Sequence, residues 1–194
     1  PARARREGIV TTPENTVRLF RQLLALKSTP RTGWLDRGVP PAETESIADH
    51  ILMTTLISWL VADPSLDRDR VLKLALVHDL AEAITGDPPP YARADVPPAS
   101  DPEALHAFFS RRHVRSKADK TAKDRAEAEA MERLRALMPE GTGDDIVALW
   151  HEYEAEATPE ARLVKDVDRF EAFLQAREYA RRHPDLPFDG FTRM

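Results

Sequence analysis

The chain of 194 residues is 42% hydrophobic, enough to bury one full core, and nothing along it marks a second domain. A formal net charge of −5 argues against a nucleic-acid binder, which carries a basic face, and points to a small ligand. The absence of cysteine excludes disulfides, thiolate zinc sites and a cysteine nucleophile, and the seven glycines form no phosphate-cradling loop.

Apolar residues recur at helical spacing throughout, and no stretch alternates as a half-buried strand, so an all-α fold is expected. The expectation is a single compact bundle of about six to eight helices, with its core at about 13–182 and extensions at both ends. No apolar run approaches the roughly 20 residues that span a bilayer, and the first residues lack a basic-then-apolar leader, so the expected compartment is the cytoplasm.

Thr12-Pro13-Glu14 pairs an N-cap with proline at the first helical position, opening a helix to about Lys27 on which Val17, Phe20, Leu23 and Leu24 share a face. Residues 28–42, with three prolines and two glycines, form a loop carrying Arg31, Trp34 and Arg37. A second helix, about 43–62, contains His50, with Ile47, Ile51 and Leu60 as core candidates, and Asp63-Pro64 ends it. Asp67 caps a third helix that runs to Gly86. Its segment VLKLALVHDLAEAIT (71–85) is apolar nearly all round, as a buried helix is. Three prolines follow and hold Asp87 stiffly at its end.

Residues 92–122 are polar, with a short helix starting at Asp101-Pro102 and a cluster of Arg111, Arg112, Arg115 and Lys117 that reads as a solvated face. Helices at about 119–138 and 143–155 come next. Thr158-Pro159-Glu160 then repeats the cap-then-proline signature and opens the last long helix, which delivers Asp168 and Glu171. The tail from His183 is expected to be a loosely packed extension.

Four residues stand out as an ordered set of metal ligands: His50, the adjacent His78 and Asp79, and Asp168. Two imidazoles and two carboxylates suit a divalent Mn, Co, Fe, Ni or Zn ion and leave positions for water and a substrate oxygen. A His-Asp pair alone is more often a surface feature. Charges in a buried helix, however, need partners or a metal, and Glu82 follows on the same helical face. Asp166 fits the spacing as well as Asp168. His106, His113 and His183 read as exposed, His151 as either site-facing or on the surface, and Trp150 and Tyr153 as core.

The order H…HD…D resembles that of the HD-domain metal-dependent phosphohydrolases. Agreement with their 5′-deoxynucleotidase branch extends over RTGW (31–34), ESIADH (45–50), LALVHDLAEAITGD (74–87), LWHEYE (149–154) and LVKDVDRFEAFLQAREY (163–179). The resemblance implies His50, His78, Asp79 and Asp168 as ligands of one divalent ion, and selects Asp168 with Glu171 over Asp166. It further implies Glu82 and Asp87 as catalytic or substrate-positioning residues, and an arginine and tryptophan in the RTGW loop that contact phosphate and sugar. Glu152 enters by resemblance alone. Gly33 precedes Trp34 where some members have arginine, so the phosphate role falls to Arg31 or Arg37. Two further departures, a lengthening in PPAETES before His50 and a longer stretch between Tyr91 and Lys123, border the pocket.

The implied activity is hydrolysis of 5′-nucleoside monophosphates, with deoxyribose preferred. Glu82 would accept a proton from water or orient it, and Asp87 would protonate the leaving oxygen or hold the sugar. Trp34 either packs on sugar or base, or is a core tryptophan under a loop. Alternatives are a phosphatase for a specialised nucleotide analogue or another phosphorylated metabolite, and a regulatory module that binds nucleotide without turnover. The expected partners are a small phosphorylated substrate and a second copy in a homodimer, with neither membrane nor stable nucleic-acid contact.

Overall fold

The computed structural model describes residues 11–111 and 113–191. Arg112 therefore lies outside the described residues, as does most of the expected N-terminal extension. Helices dominate, and the one β-type pairing among the described residues is an isolated antiparallel bridge between Pro30 and Ser46. The chain forms α1 (Pro13–Ser28), α2 (Thr32–Asp36), α3 (Ile47–Val61), α4 (Arg68–Val77), α5 (Glu82–Thr85), α6 (Pro102–Phe109), α7 (Lys117–Arg135), α8 (Glu140–Glu154) and α9 (Pro159–Arg182). None of these is long and apolar enough to cross a membrane.

Side-chain caps explain most of the starts. Thr12, Asp67, Asp101 and Thr158 each accept a hydrogen bond from the backbone N–H three residues on. At α3, Ser46 and Asp49 form a reciprocal capping box, so the helix starts four residues later than about 43. Helix α4 packs between α3 and α9 and also against α8, with Val71, Leu74, Ala75, Tyr153, Ala161 and Val164 in the shared core. A second core sets Val77 and Ala81 against Ala130, Met131 and Leu134 of α7 and Trp150 of α8.

Several expectations change, among them the 28–42 segment, which is not all loop but holds α2. The 71–85 segment is not one helix: α4 ends at Val77, residues 79–81 form a turn, and α5 resumes at Glu82. Gly86, at φ +71°, then turns the chain into its three prolines, a backbone conformation that favours glycine. Leu60 is no core residue but 84% exposed. On α3 the row His50, Thr54, Ser58 faces inward at 0% exposure and lets the neighbouring helices approach, while Leu52, Leu56 and Leu60 face outward. Nor is the tail loose. Leu186, Phe188 and Phe191 pack on Trp34 and Tyr179, and Gly190 lies so close to the Phe109 carbonyl that an added Cβ would sit 2.4 Å from its oxygen.

Because Ser46 anchors the start of the helix that carries His50, Ser46→Ala is expected to cost about 1 kcal/mol. Thermal denaturation followed by circular dichroism should show a midpoint lower by roughly 2–4 °C, as expected for a domain of this size.

Candidate metal centre

The break between α4 and α5 creates the site. His78 closes α4 as its C-cap, Asp79 sits in the following turn and Glu82 opens α5, so the three side chains leave a changing backbone rather than one helical stripe. α3 brings His50 and α9 brings Asp168. His50 Nε2 and His78 Nε2 are 3.3 Å apart, Asp168 Oδ1 is 3.2 Å from His50 Nε2, and Asp79 Oδ2 is 3.3 Å from His78 Nε2 and 3.7 Å from His50 Nε2. All four sequence candidates thus converge.

The far side of each imidazole has its own acceptor. His78 Nδ1 donates to the Ala75 carbonyl (2.7 Å), and His50 Nδ1 lies 2.6 Å from Glu171 Oε2. A carbonyl can only accept, so His78 Nδ1 carries a proton, and in the neutral ring Nε2 is the nitrogen left for a cation. Tyr153 donates its hydroxyl to Asp168 Oδ2 (2.7 Å). Both imidazoles are sealed from solvent, while Arg31, Asp79, Asp87 and Asp168 keep 15–22% of their side-chain surface. The site therefore opens on its carboxylate and guanidinium side.

Arg31 spans that opening. Its Nη1 donates to Asp79 Oδ2 (3.0 Å) and its Nε is 4.0 Å from Asp87 Oδ2, which accepts from the Thr32 N–H (2.6 Å). Burial disfavours the guanidinium, but Asp87, Asp79, Glu82 and Asp168 more than offset it and hold the proton more firmly than on a free arginine. Burial also opposes ionisation of Asp79, yet His78, Arg31 and His50 hold its carboxyl well below the ordinary range. Asp168 is lowered in the same way, against burial, by its hydrogen bond with His50 and by the neighbouring His78. For Glu82 the balance reverses: burial, then Asp79 and Asp87, push it well above the usual carboxylate range, against Arg31 and Lys123. Burial and the nearby Glu171 push Glu45 up to about 7.

The donor set fits a divalent transition ion. Ligand atoms of His50, His78 and Asp168 lie within 4.8 Å of one another, and mixed imidazole and carboxylate donors are those such ions prefer. Glu82 Oε2 is buried without a protein hydrogen-bond partner, which suits a group that meets a water or substrate atom.

Three proposed substrate contacts are not brought to this opening. Trp34 is 3% exposed, its ring walled by Tyr179, Phe188 and Phe191, and its Nε1 donates to Glu45 Oε1 (2.7 Å). Arg37 donates to the Gly33 carbonyl and stacks over Phe109 and Phe191, because the C-terminal tail folds back over it. Glu152 is bound by Arg70 and Thr158 at the junction of α4, α8 and α9. Asp166 is exposed beside Arg169, two residues from Asp168 but on another face. His151 is exposed, and His113 is half-buried against Tyr91 and Phe108 rather than exposed.

Sequence reasoning missed Glu45, Lys123 and the Tyr153 contact with Asp168. Lys123 of α7, paired with Glu127, lies close enough to Glu82 to favour its charged form. The outer contact of Glu171 had a signal, since it follows Asp168 by three residues on one helical face.

Known proteins share this arrangement of chain. The 5′-deoxynucleotidase HDDC2 of Danio rerio is 34% identical over 166 residues, 86% of this chain and 70% of the relative. The 5′-deoxynucleotidase hdd1 of Schizosaccharomyces pombe is 38% identical over 164 residues, 82% of this chain and 70% of the relative. Among solved structures, the PH0347 protein from Pyrococcus horikoshii OT3 matches with a TM-score of 0.63 and 30% identity, covering 91% of this chain and 84% of that one. The family model described as HD domain matches residues 23–189, a span that includes every residue of the buried histidine and carboxylate group, and the chain belongs to that family.

Proposed function

We propose that the protein is a divalent-metal-dependent phosphomonoesterase that removes the 5′-phosphate from deoxynucleoside monophosphates, yielding nucleoside and inorganic phosphate. The observation that carries this is the convergence of His50, His78, Asp79 and Asp168 beside Arg31 and Glu82, in a chain whose relatives are named 5′-deoxynucleotidases.

His50, His78, Asp79 and Asp168 would hold one ion, for which Mn, Co, Fe, Ni or Zn all fit the donor chemistry. When bound, that ion supplies Lewis acidity to a phosphoryl oxygen and acidifies a water. Glu82, with its raised proton affinity and an oxygen free of protein partners, accepts the proton from the attacking water. Arg31 presents a planar fork to the phosphate from the rim of the site, and is preferred over Arg37, whose guanidinium is stacked between aromatic rings. Asp87 ties the Thr32 backbone to the end of α5 and offers its carboxylate to the sugar or the leaving oxygen.

Phosphate release should be compared for 5′-dNMPs, 5′-NMPs, 3′-dNMPs and dNTPs, after chelation and with Mn, Co or Mg restored. Metal-dependent release, fastest from 5′-dNMPs, is the expected result. No release from any of them would sink the proposal and favour a specialised phosphorylated metabolite or a nucleotide-binding regulatory role. Glu82→Gln should retain metal and lose about 10²–10⁴-fold in turnover, whereas His78→Ala should lose metal and activity together. Full metal occupancy in His78→Ala, measured by elemental analysis, would overturn the ligand assignment.

We propose further that the protein works as a homodimer. α3 packs against both α1 and α9, yet Val17, Phe20 and Leu24 of α1, Leu52, Leu56, Trp59 and Leu60 of α3, and Phe170 and Leu174 of α9 remain exposed. An apolar surface drawn from three adjoining helices suits a second copy of the chain. Light scattering coupled to size exclusion should give twice the monomer mass for the native protein and a monomer for Leu60→Glu. A monomeric native protein at micromolar concentration would refute the dimer.

A further inference from the structure

His50 is wholly buried, and its two ring nitrogens face different surroundings. Nε2 looks toward Asp168, Asp79 and His78, while Nδ1 is 2.6 Å from Glu171 Oε2. A second carboxyl stands beside this pair, since ligand atoms of Glu45, His50 and Glu171 lie within 4.8 Å of one another. Glu45 is fixed from two directions: Trp34 Nε1 donates to its Oε1 (2.7 Å), and its backbone N–H donates to the Tyr179 hydroxyl (2.9 Å). Tyr179 in turn meets Trp34 edge-on, with ring centroids 5.5 Å apart. A walled-in indole of this kind has no face to offer a sugar.

We propose that Trp34, Glu45 and Glu171 form an outer shell of the metal centre, in which Trp34 is a positioning residue acting through the two carboxyls on His50 and not a contact for sugar. A carboxylate on the far nitrogen of a liganding imidazole fixes its tautomer and orientation and raises its basicity, and its loss typically weakens metal binding 10–100-fold. Glu171 is that carboxylate for His50. Glu45 stands beside both Glu171 and His50, where its charge acts on them, and the Trp34 N–H holds Glu45 in place. The loop that encloses α2 is thereby coupled to the α3 ligand, although none of its aromatic surface reaches the opening.

The inference rests on His50 being a ligand of the proposed ion, so the test uses metal alone. Metal-free native protein, Trp34→Phe, Glu45→Gln, Glu171→Gln and His78→Ala are titrated with Co²⁺, read by its visible absorption and by competition with a chelator. The expected result is about 10–100-fold weaker binding for Glu171→Gln and up to about tenfold weaker for Glu45→Gln and Trp34→Phe. At saturating Co²⁺ the variants should also show shifted absorption bands, which a general loss of stability would not produce. The 5′-dNMP to 5′-NMP rate ratio of Trp34→Phe should stay at the native value. Native affinity and native bands in Glu45→Gln and Glu171→Gln would overturn the proposal, even if Trp34→Phe failed to fold. A changed sugar ratio with native Co²⁺ binding in Trp34→Phe would overturn it in favour of a sugar contact. Native Co²⁺ binding by His78→Ala would instead remove the ligand assignment beneath it, a failure visible without any substrate.

Discussion

Two imidazoles sealed from solvent, their Nε2 atoms 3.3 Å apart, are the constraint around which this fold is arranged. Polar groups removed from water must find partners, and paired rings at that distance cannot both carry a proton between them. The Ala75 carbonyl and Glu171 take the outer nitrogens, which leaves the inner pair facing Asp79 and Asp168. The need for close approach explains the inward row of His50, Thr54 and Ser58 on α3, where leucines would hold the neighbouring helices apart. After Val77 the backbone tightens into turns in which an N–H bonds to the carbonyl three residues back, which resets the register at which Asp79 and Glu82 leave the chain.

Electrostatics divide the site into a sealed half and an open one. The histidines lie at the sealed end, and Arg31 among the carboxylates lies at the open end, where an anionic substrate would first be met. Arg31 is held between Asp79 and Asp87, so its fork is ordered before anything binds, and less entropy is lost when it does. Glu82 differs from its acidic neighbours because Asp79 and Asp87 crowd it with like charge while burial removes water. Within a few ångströms, then, identical chemical groups are driven in opposite directions by their surroundings.

Much of this was legible in the sequence, and what was not has definite physical causes. Caps at Thr12, Asp67, Asp101 and Thr158 are local chemistry and marked helix starts well. Residue type and order pointed to His50, His78 and Asp79 with a late aspartate, and the family resemblance selected Asp168 over Asp166. The turn at 79–81 carries neither glycine nor proline, so only tertiary packing reveals it. Leu60 misled because periodicity identifies an apolar face without saying what covers it. The sequence left the alternatives for Trp34 and Arg37 open because their environment is made by the tail, where Leu186, Phe188 and Phe191 are too sparse to announce a packed segment. Glu152 had no support beyond likeness, and its side chain serves Arg70 and Thr158 instead.

The docking of the tail on the loop that carries Arg31 and Trp34 bears on how the protein is made. A ribosome delivers His50, His78 and Asp79 early, but Asp168 and Glu171 only with α9, and the aromatic wall behind Trp34 later still. A chain made only as far as α8 holds three of the four proposed donors, without the carboxylate that lies against His50. Such a chain is a poor trap for any passing cation. With the proposed ligands, capture of an ion waits for α9 and the segment docked on Trp34, so that the folded pocket, rather than the nascent peptide, selects which ion is kept.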